Sequence, residues 1–594
     1  MDDCRQQSRH MSSENVLDDI LEVVKKNCGA LDRDPSKLVV QRRQKKLQNG
    51  DFCIPKGCFQ MNVEEFTHLR ETLLEESRPW TCPVREVKSD PYNSMLISLH
   101  RPSAYKTVIS SLLKSEISQN SIVDRESRES NELNGDKSAP VNELHKFREQ
   151  ACDKTVLVNA PDCFDCQSLE QLRGLVLTQH ILQLLKNDRV RSKLAAQPMT
   201  ENSKKWFELL NFDCEFLEDR EENCDVEHIL DLVKQSEYRL TQRKRTRRQE
   251  NKLIESETTV RHDPGVNISE CVVLNAEEFL ASKISEVGDF DKNLDKIYIA
   301  DENGHTDTLI QISQLQKYKE KMGHYDCVLH IIPDRKSFQQ QKIHLGWQML
   351  TKDAPRQIHQ EYGSVTERKS KDSQKMDAQT FYNLRFDQMK EASVMKYGEC
   401  VKGAGWNKTI ENLTMASVKF ELLLNVPRNT VKLDLSEGNE FGGGVDNRAG
   451  AFVMYNCARL ATLFKHFNKA VDDGVYPPLP SIDSIDFGLL REEDEWSLFF
   501  NYIFPYPDLL RSTVADVLPS NDGIYSKLGT HKISNFLIGL SRSLSCYYSH
   551  VHVLVENRPN LLPTMFARLY LLKALHRVIK DGLYLMGICP PTQL

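Results

Sequence analysis

From Phe381 to the end of the chain, large apolar residues recur at helical spacing, and no alternating stretch interrupts them. Helices centred on Ala449–Phe467, Glu495–Phe504, Ser534–Val555 and Thr564–Met586 predict a bundle. Gly587 stands where the last helix would be capped, and Pro590 with Pro591 bars its continuation. The first two-thirds of the chain reads differently. Thr155-Val-Leu-Val is a short buried-type strand, followed by a helix over Gln167–Leu185. Further strands are expected at Cys271–Leu274, Lys296–Ala300 and Cys327–Ile332. Strands alternating with helices predict a mostly parallel sheet, so the fold class is α/β followed by all-α.

At 594 residues the chain exceeds what one core can organise. The expected division begins with a flexible segment, 1–48, carrying an amphipathic stretch from Val16 to Val24 and a basic cluster of Arg42, Arg43, Lys45 and Lys46. A small α+β domain follows at 49–114. Residues 115–147 are rich in Ser, Asn and Glu, bury too little apolar surface to offset ordering, and read as a linker. The α/β domain is expected at 148–352, a second polar linker at 353–378, a connecting region at 379–448 and the bundle at 449–594.

Several functions are disfavoured by composition. Sixteen scattered cysteines fit reduced thiols in a cytoplasmic protein, and the basic strips leave a nuclear pool open. The N-terminus lacks the apolar stretch of a secretory signal, and no run reaches the ~18 apolar residues that span a bilayer. Cys163-Phe-Asp-Cys166 has metal-ligand spacing without a second pair to complete it, so no metal is expected. Gly442-Gly-Gly444 lacks the Lys-Ser/Thr of a phosphate loop, and there is no fingerprint for a bound S-adenosylmethionine. No cofactor and no catalytic residue is assigned.

A formal charge of −7 hides a local excess of the opposite sign. Residues 531–594 hold Lys532, Arg542, Arg558, Arg568, Lys573, Arg577 and Lys580 against only Glu556 and Asp581, with four histidines and the Tyr547-Tyr548 pair. Cations neutralise phosphates and rings offer faces to unstacked bases, which is what an RNA loop needs. A solvated helix face is the plainer alternative. A second strip, Arg243, Lys244, Arg245, Arg247 and Arg248, reads as a surface insertion, a phosphate grip or a nuclear signal.

The last thirty residues narrow the choice. Ala567-Arg-Leu-Tyr-Leu-Leu-Lys-Ala-Leu, running into Gly582-Leu-Tyr-Leu-Met-Gly-Ile, resembles the end of arginyl-tRNA synthetases, whose terminal bundle is the DALR anticodon-binding domain. Gly450-Ala-Phe-Val-Met-Tyr-Asn-Cys-Ala-Arg-Leu and the Phe504-Pro-Tyr-Pro region are similar to two further segments of that family, in the right order. Asn49-Gly-Asp-Phe resembles part of the synthetases' N-terminal add-on domain, and Val156–Leu185 falls where their first catalytic strand and helix belong. The resemblance implies an add-on domain, a class I Rossmann domain and a DALR bundle. It also exposes a departure. Where the class I signature has His-x-Gly-His, this chain has Ser168-Leu-Glu-Gln, ahead of a family-like Arg173, and a carboxylate beside a triphosphate is repulsive. No clean lysine motif stands near Lys396–Gly405.

The resemblance therefore implies a catalytically degenerate synthetase, of the animal type that recognises arginine tRNAs and partners an S-adenosylmethionine-dependent methyltransferase forming 3-methylcytidine. From the Gly450–Leu460 match, Tyr455 is expected to stack on a base and Arg459 to pair with phosphate. Tyr547 is a second stacking candidate. Arg568 and Arg577, nine residues apart, fall about 180° apart on an ideal helix. Lys573, Arg577 and Lys580 share a face and make the preferred phosphate stripe, while Arg568 remains a tRNA candidate with a structural alternative. The rival readings are an active arginyl-tRNA synthetase and a scaffold that uses the fold for protein contacts alone.

Overall fold

A computed structural model describes residues 13–29, 39–55, 63–114, 154–217, 226–242, 271–323, 325–434, 448–519 and 523–591, apart from short gaps at 93, 196–198, 283–288, 302–303, 352, 368–375, 399–400 and 402. The linker expected at 115–147, the basic strip from Arg243 to Arg248 and the Gly442–Gly444 run lie outside the described residues.

The N-terminal module starts well before residue 49. Helix α1 (Ser13–Gly29) buries Val16, Ile20, Val23 and Val24, a four-residue stripe at helical spacing. Strand β1 (Gln41–Arg42) pairs with β2 (Phe52–Ile54), and the sheet is completed by β4 (Met95–Leu99) and β3 (Val84–Ser89) in the order β1-β2-β4-β3. Helices α2 (Val63–Glu76) and α3 (101–114) cover it. The expectation of a flexible segment over 1–48 is thus corrected: its apolar stripe belongs to the core.

Strands β5 (Thr155–Asn159), β6 (Arg191–Ala195), β7 (Glu215–Leu217), β12 (Cys327–Pro333) and β13 (Arg356–Tyr362) form a wholly parallel sheet in the order β13-β12-β5-β6-β7. Helix α4 (Leu169–Asn187) returns from β5 to β6 and is buried along most of its length, which a helix wedged between sheet and bundle must be. Helices α5 (Glu201–Leu210), α6 (Val226–Gln235), α7 (Ala276–Ser282), α8 (Asp307–Met322) and α9 (Ser337–Leu350) follow in chain order. The chain winds from β5 to one edge, then crosses back to β12 and the other. The switch point of this doubly wound sheet lies between β5 and β12.

Two sequence expectations change here. The strands foreseen at Cys271–Leu274 and Lys296–Ala300 exist, as β9 (Cys271–Asn275) and β10 (Lys296–Asp301). With β8 (Arg239–Gln242) and β11 (Gly304–His305) they form a separate antiparallel sheet, not part of the parallel one. The polar linker foreseen over 353–378 contains β13, an edge strand whose Gln357, His359, Gln360 and Glu361 are nonetheless buried. Polar composition concealed a strand because these side chains are satisfied inside: His330 Nε2 and Gln357 Oε1 lie 3.0 Å apart, and Glu361 pairs with Arg428.

The C-terminal third is helical, apart from the short pair β14 (Val365–Glu367) and β15 (Val431–Leu433). Helices α10 (Ala378–Tyr397) and α11 (Ala404–Leu423) lead to α12 (Ala449–Asp472), α13 (Glu493–Leu498) with a π-helical turn at Phe499–Ile503, α14 (Tyr506–Val517), α15 (His531–His550) and α16 (Leu562–Leu585). Gly587 adopts φ +67° and ends α16. Its N–H donates to Tyr584 O and that of Ile588 to Leu583 O, closing the helix as its sequence foretold.

An aromatic seam fixes the N-terminal module to this bundle. Phe52 meets Phe500 at 5.6 Å, and Tyr105 packs on Trp496 and Phe499 at 5.3 and 4.6 Å. At its centre Asp51, 1% exposed, accepts hydrogen bonds from Trp496 Nε1 (2.7 Å) and the Leu99 amide (2.8 Å). The Asn49-Gly-Asp-Phe motif is therefore a docking element.

Candidate nucleic-acid interface

The crevice outside the carboxyl ends of β5 and β12 is where a doubly wound sheet ordinarily takes its ligand. Ion pairs bridge it here. Glu170 accepts from Arg335 Nε and Nη2 at 2.9 and 2.7 Å, Asp162 pairs with Lys336, and Glu361 receives Ser337 and Arg428. Ser168 and Gln171, at positions where imidazoles would serve ATP, instead form a capping box on α4: Gln171 N donates to Ser168 Oγ, and Ser168 N to Gln171 Oε1. Arg173 is buried and donates to the carbonyls of Gly363, Asn429 and Val426, with burial lowering it to about 10. Ser168, Glu170, Gln171 and Arg173 thus each have a structural partner.

Among the predicted contact residues the bundle makes a sharp selection. Tyr455 and Arg459 lie one turn apart on α12, both half-buried, with Arg459 Nη2 donating to Tyr455 Oη at 3.2 Å. That hydrogen bond lowers the phenol's pKa. The Arg459 guanidinium stands 4.9 Å from the Tyr455 ring centre and 5.0 Å from that of Tyr548 on α15. Lys396, at the end of α10, places its ammonium 3.9 Å from the centre of the same Tyr455 ring and 5.0 Å from that of Tyr397. Cations and rings therefore alternate from Tyr397 through Lys396, Tyr455 and Arg459 to Tyr548. The same stripe of α12 continues at 4-3-4-3 spacing through Arg448, Phe452, Tyr455, Arg459, Thr462, His466 and Lys469, none of them fully buried. The helix has no acid before Asp472, and α15 has none at all. Such a face offers phosphates cations and bases ring surfaces.

The other predicted contacts do not join it. Tyr547 is completely buried, its hydroxyl donating to Glu495 Oε1 at 3.2 Å, and burial raises its pKa. It is the neighbouring Tyr548 that reaches the surface. Helical phase held the answer: Leu537, Leu540, Leu544 and Tyr547 continue one buried stripe, and Tyr548 falls 100° off it. Arg568 pairs with the fully buried Glu495 at 2.8 Å, the structural role its alternative reading allowed. The stripe Lys573–Arg577–Lys580 is corrected as well. Helix α16 is central to the bundle, so Arg577 is only 7% exposed and binds Asp581 at 2.7 Å. Lys580 is half-buried close to the Cys457 thiol, and Lys573 alone is open to solvent. Lys396 and Tyr548 are absent from the predicted set, Lys396 because its nearer ring partner, Tyr455, lies 59 residues on.

Among the described residues no group of three or more His, Cys, Asp or Glu is placed to hold a metal, and no helix is long and apolar enough to cross a membrane.

With this geometry established, similarity to known proteins is informative. The DALR anticodon-binding domain family matches residues 453–594. An arginyl-tRNA synthetase structure from Plasmodium falciparum superposes over 98% of this chain and 99% of its own, with a TM-score of 0.58 at 13% identity. The chain has the arginyl-tRNA synthetase fold, ending in a DALR domain. The stripe from Tyr455 to Lys469 and Tyr548 fall inside that DALR domain, whereas Lys396 and Tyr397 precede it. The chain also resembles DALR anticodon-binding domain-containing protein 3 of Mus musculus, 39% identical over 272 residues, and of Danio rerio, 42% identical over 222 residues. These matches take in 45% and 37% of this chain, and 49% and 39% of the relatives, so they span about half or less of the proteins concerned.

Proposed function

We propose that this chain is a non-catalytic recognition factor for arginine tRNAs, which it delivers to a separate S-adenosylmethionine-dependent methyltransferase forming 3-methylcytidine in the anticodon loop. The observation that carries the binding half is the alternation of Lys396, Tyr455, Arg459 and Tyr548, where α12 has no acid before Asp472 and α15 has none. A cation close to each ring can meet a phosphate of the same strand whose base the ring accepts.

The reading of no catalysis is supported by the carboxyl edge of the parallel sheet. An ATP phosphate approaching the start of α4 would meet Glu170, already tied to Arg335, and a serine–glutamine cap in place of imidazole donors. Losing each preorganised donor costs a synthetase about 10²–10³ in rate. The choice of arginine tRNAs and of a methyltransferase partner rests on the resemblance to the DALR-domain relatives. A fold that discriminates one tRNA set can present it to an enzyme that does not.

The test is immunoprecipitation of the protein from cells, with sequencing of bound small RNAs and mass spectrometry of bound proteins. Enrichment of arginine tRNAs with a methyltransferase is expected. Recovery of proteins without tRNA would overturn the proposal in favour of a scaffold, and arginine-dependent ATP–pyrophosphate exchange by purified protein would overturn its non-catalytic half.

A further inference from the structure

The ring–cation series does not stop at Tyr397. The Tyr397 ring lies 5.2 Å from that of Trp406, tilted by 46°, across the turn that joins α10 to α11. Both rings are half-buried, and Met395 beside them is 87% exposed. Gly398 and Gly403 take φ +65° and +97°, conformations that favour glycine, and a side chain at either would meet nothing within 4 Å. Gly405 has no such backbone requirement and also faces open space, although glycine inside a helix is unfavourable relative to alanine. Packing therefore accounts for none of the three glycines.

We infer that Tyr397 and Trp406 form a second stacking platform, which receives an unpaired base of the bound RNA beyond those facing Tyr455 and Tyr548. The inference rests on the RNA-binding reading above and extends its surface onto a helical hairpin outside residues 453–594. The chemistry favours a single strand over an acidic protein surface. Carboxylates would use the cations and leave the ring faces without a partner, whereas a nucleic-acid strand uses both. Successive rings separated by cations suit successive bases separated by phosphates. Lys396, shared between Tyr397 and Tyr455, stands where the phosphate joining two such bases would pass.

Trp406 is its own reporter. Trp206, Trp347 and Trp496 are buried to the last per cent, and Trp80 lies in the N-terminal module, so a base stacking on Trp406 quenches a distinct, partly exposed indole. The full chain is titrated with a fluorescein-labelled, unmodified arginine anticodon stem–loop, following anisotropy for binding and tryptophan emission for stacking. In the wild type both signals are expected to change together. Trp406→Phe, which keeps a ring, is expected to bind within about twofold and to lose the quench, whereas Trp406→Ala binds roughly 5- to 150-fold more weakly, the value of one base–aromatic stack.

A Trp406→Phe protein that still shows the full quench, or a Trp406→Ala protein that binds like wild type, overturns the platform while leaving RNA binding intact. Absence of any anisotropy change in the wild type instead removes the RNA-binding reading, and the platform with it. Quenching by poly-glutamate in place of RNA would assign the surface to an acidic protein and overturn the inference.

Discussion

Asp51 is a carboxylate in an apolar seam, and its burial should be measurable as an inverted pH dependence. Removal from water pushes its pKa from 3.8 up to about 6, against the pull of the Leu99 and Trp496 donors and of Arg101, with Glu493 adding to the rise. Between pH 4 and 6 the folded protein holds a proton that the unfolded chain has released, so stability falls as pH rises through that window and stays lower above it. A shift of about two units corresponds to ~3 kcal/mol. Asp51→Asn cannot ionise. Its amide oxygen keeps one of the two donors and its NH₂ opposes the other, at a cost of ~1–3 kcal/mol. The variant should therefore be clearly less stable than wild type near pH 4.5, and the deficit should shrink by ~2 kcal/mol by pH 7.5, the part of the shift that lies above pH 4.5. Urea unfolding followed by tryptophan emission, which Trp496 reports from within the seam, measures both curves. Parallel pH profiles, or a deficit that widens with pH, would refute the reasoning and mean that Arg101 compensates the ionised carboxylate.

Arg568→Ala should lower stability by about 2–4 kcal/mol in calorimetry, because it removes the cation from the fully buried Glu495 and leaves it only the Tyr547 hydroxyl and Glu492 amide; the figure is reduced from the fully buried case since Arg568 keeps some solvent contact. Gly587→Ala should cost ~1–3 kcal/mol in thermal melting, since φ is +67° and the new Cβ would strike Gln179, which is held by the Leu210 and Asn211 carbonyls. Arg459→Glu and Lys396→Glu should each weaken tRNA binding and reduce the slope of log K against log salt by about one, whereas Lys573→Glu should leave that slope unchanged.

Where burial follows from period alone, the sequence was readable. The long bundle helices α12, α15 and α16, the β5–α4 unit and the Gly587 cap are local patterns, visible within about twenty residues. Gly-Asp-Phe was recognisable as a motif, yet nothing local says that Asp51 meets Trp496, 445 positions later. The edge strand β13 was missed because Gln357, His359, Gln360 and Glu361 look like solvent-facing residues until their buried partners are known. In the interface, Tyr455 and Arg459 came from a family match, and Tyr547 was preferred over Tyr548 without following the apolar phase of α15. Arg577 misled for the opposite reason: on a helix surrounded by other helices, charge density along the sequence does not mean a charged surface. Lys396 and Trp406 required the fold itself.

The aromatic seam around Asp51 has a geometric corollary. Because Phe52, Tyr105, Trp496, Phe499 and Phe500 interlock, the N-terminal module and the bundle share one frame, and their separation is set when the chain folds. An RNA that reaches both surfaces meets a fixed gauge. A molecule of the right span docks without the orientational entropy of two loosely tethered parts, and one that is too short or bent touches only one end. Selection by overall shape thus needs no base to be read, and would persist even for a substrate whose loop sequence varies.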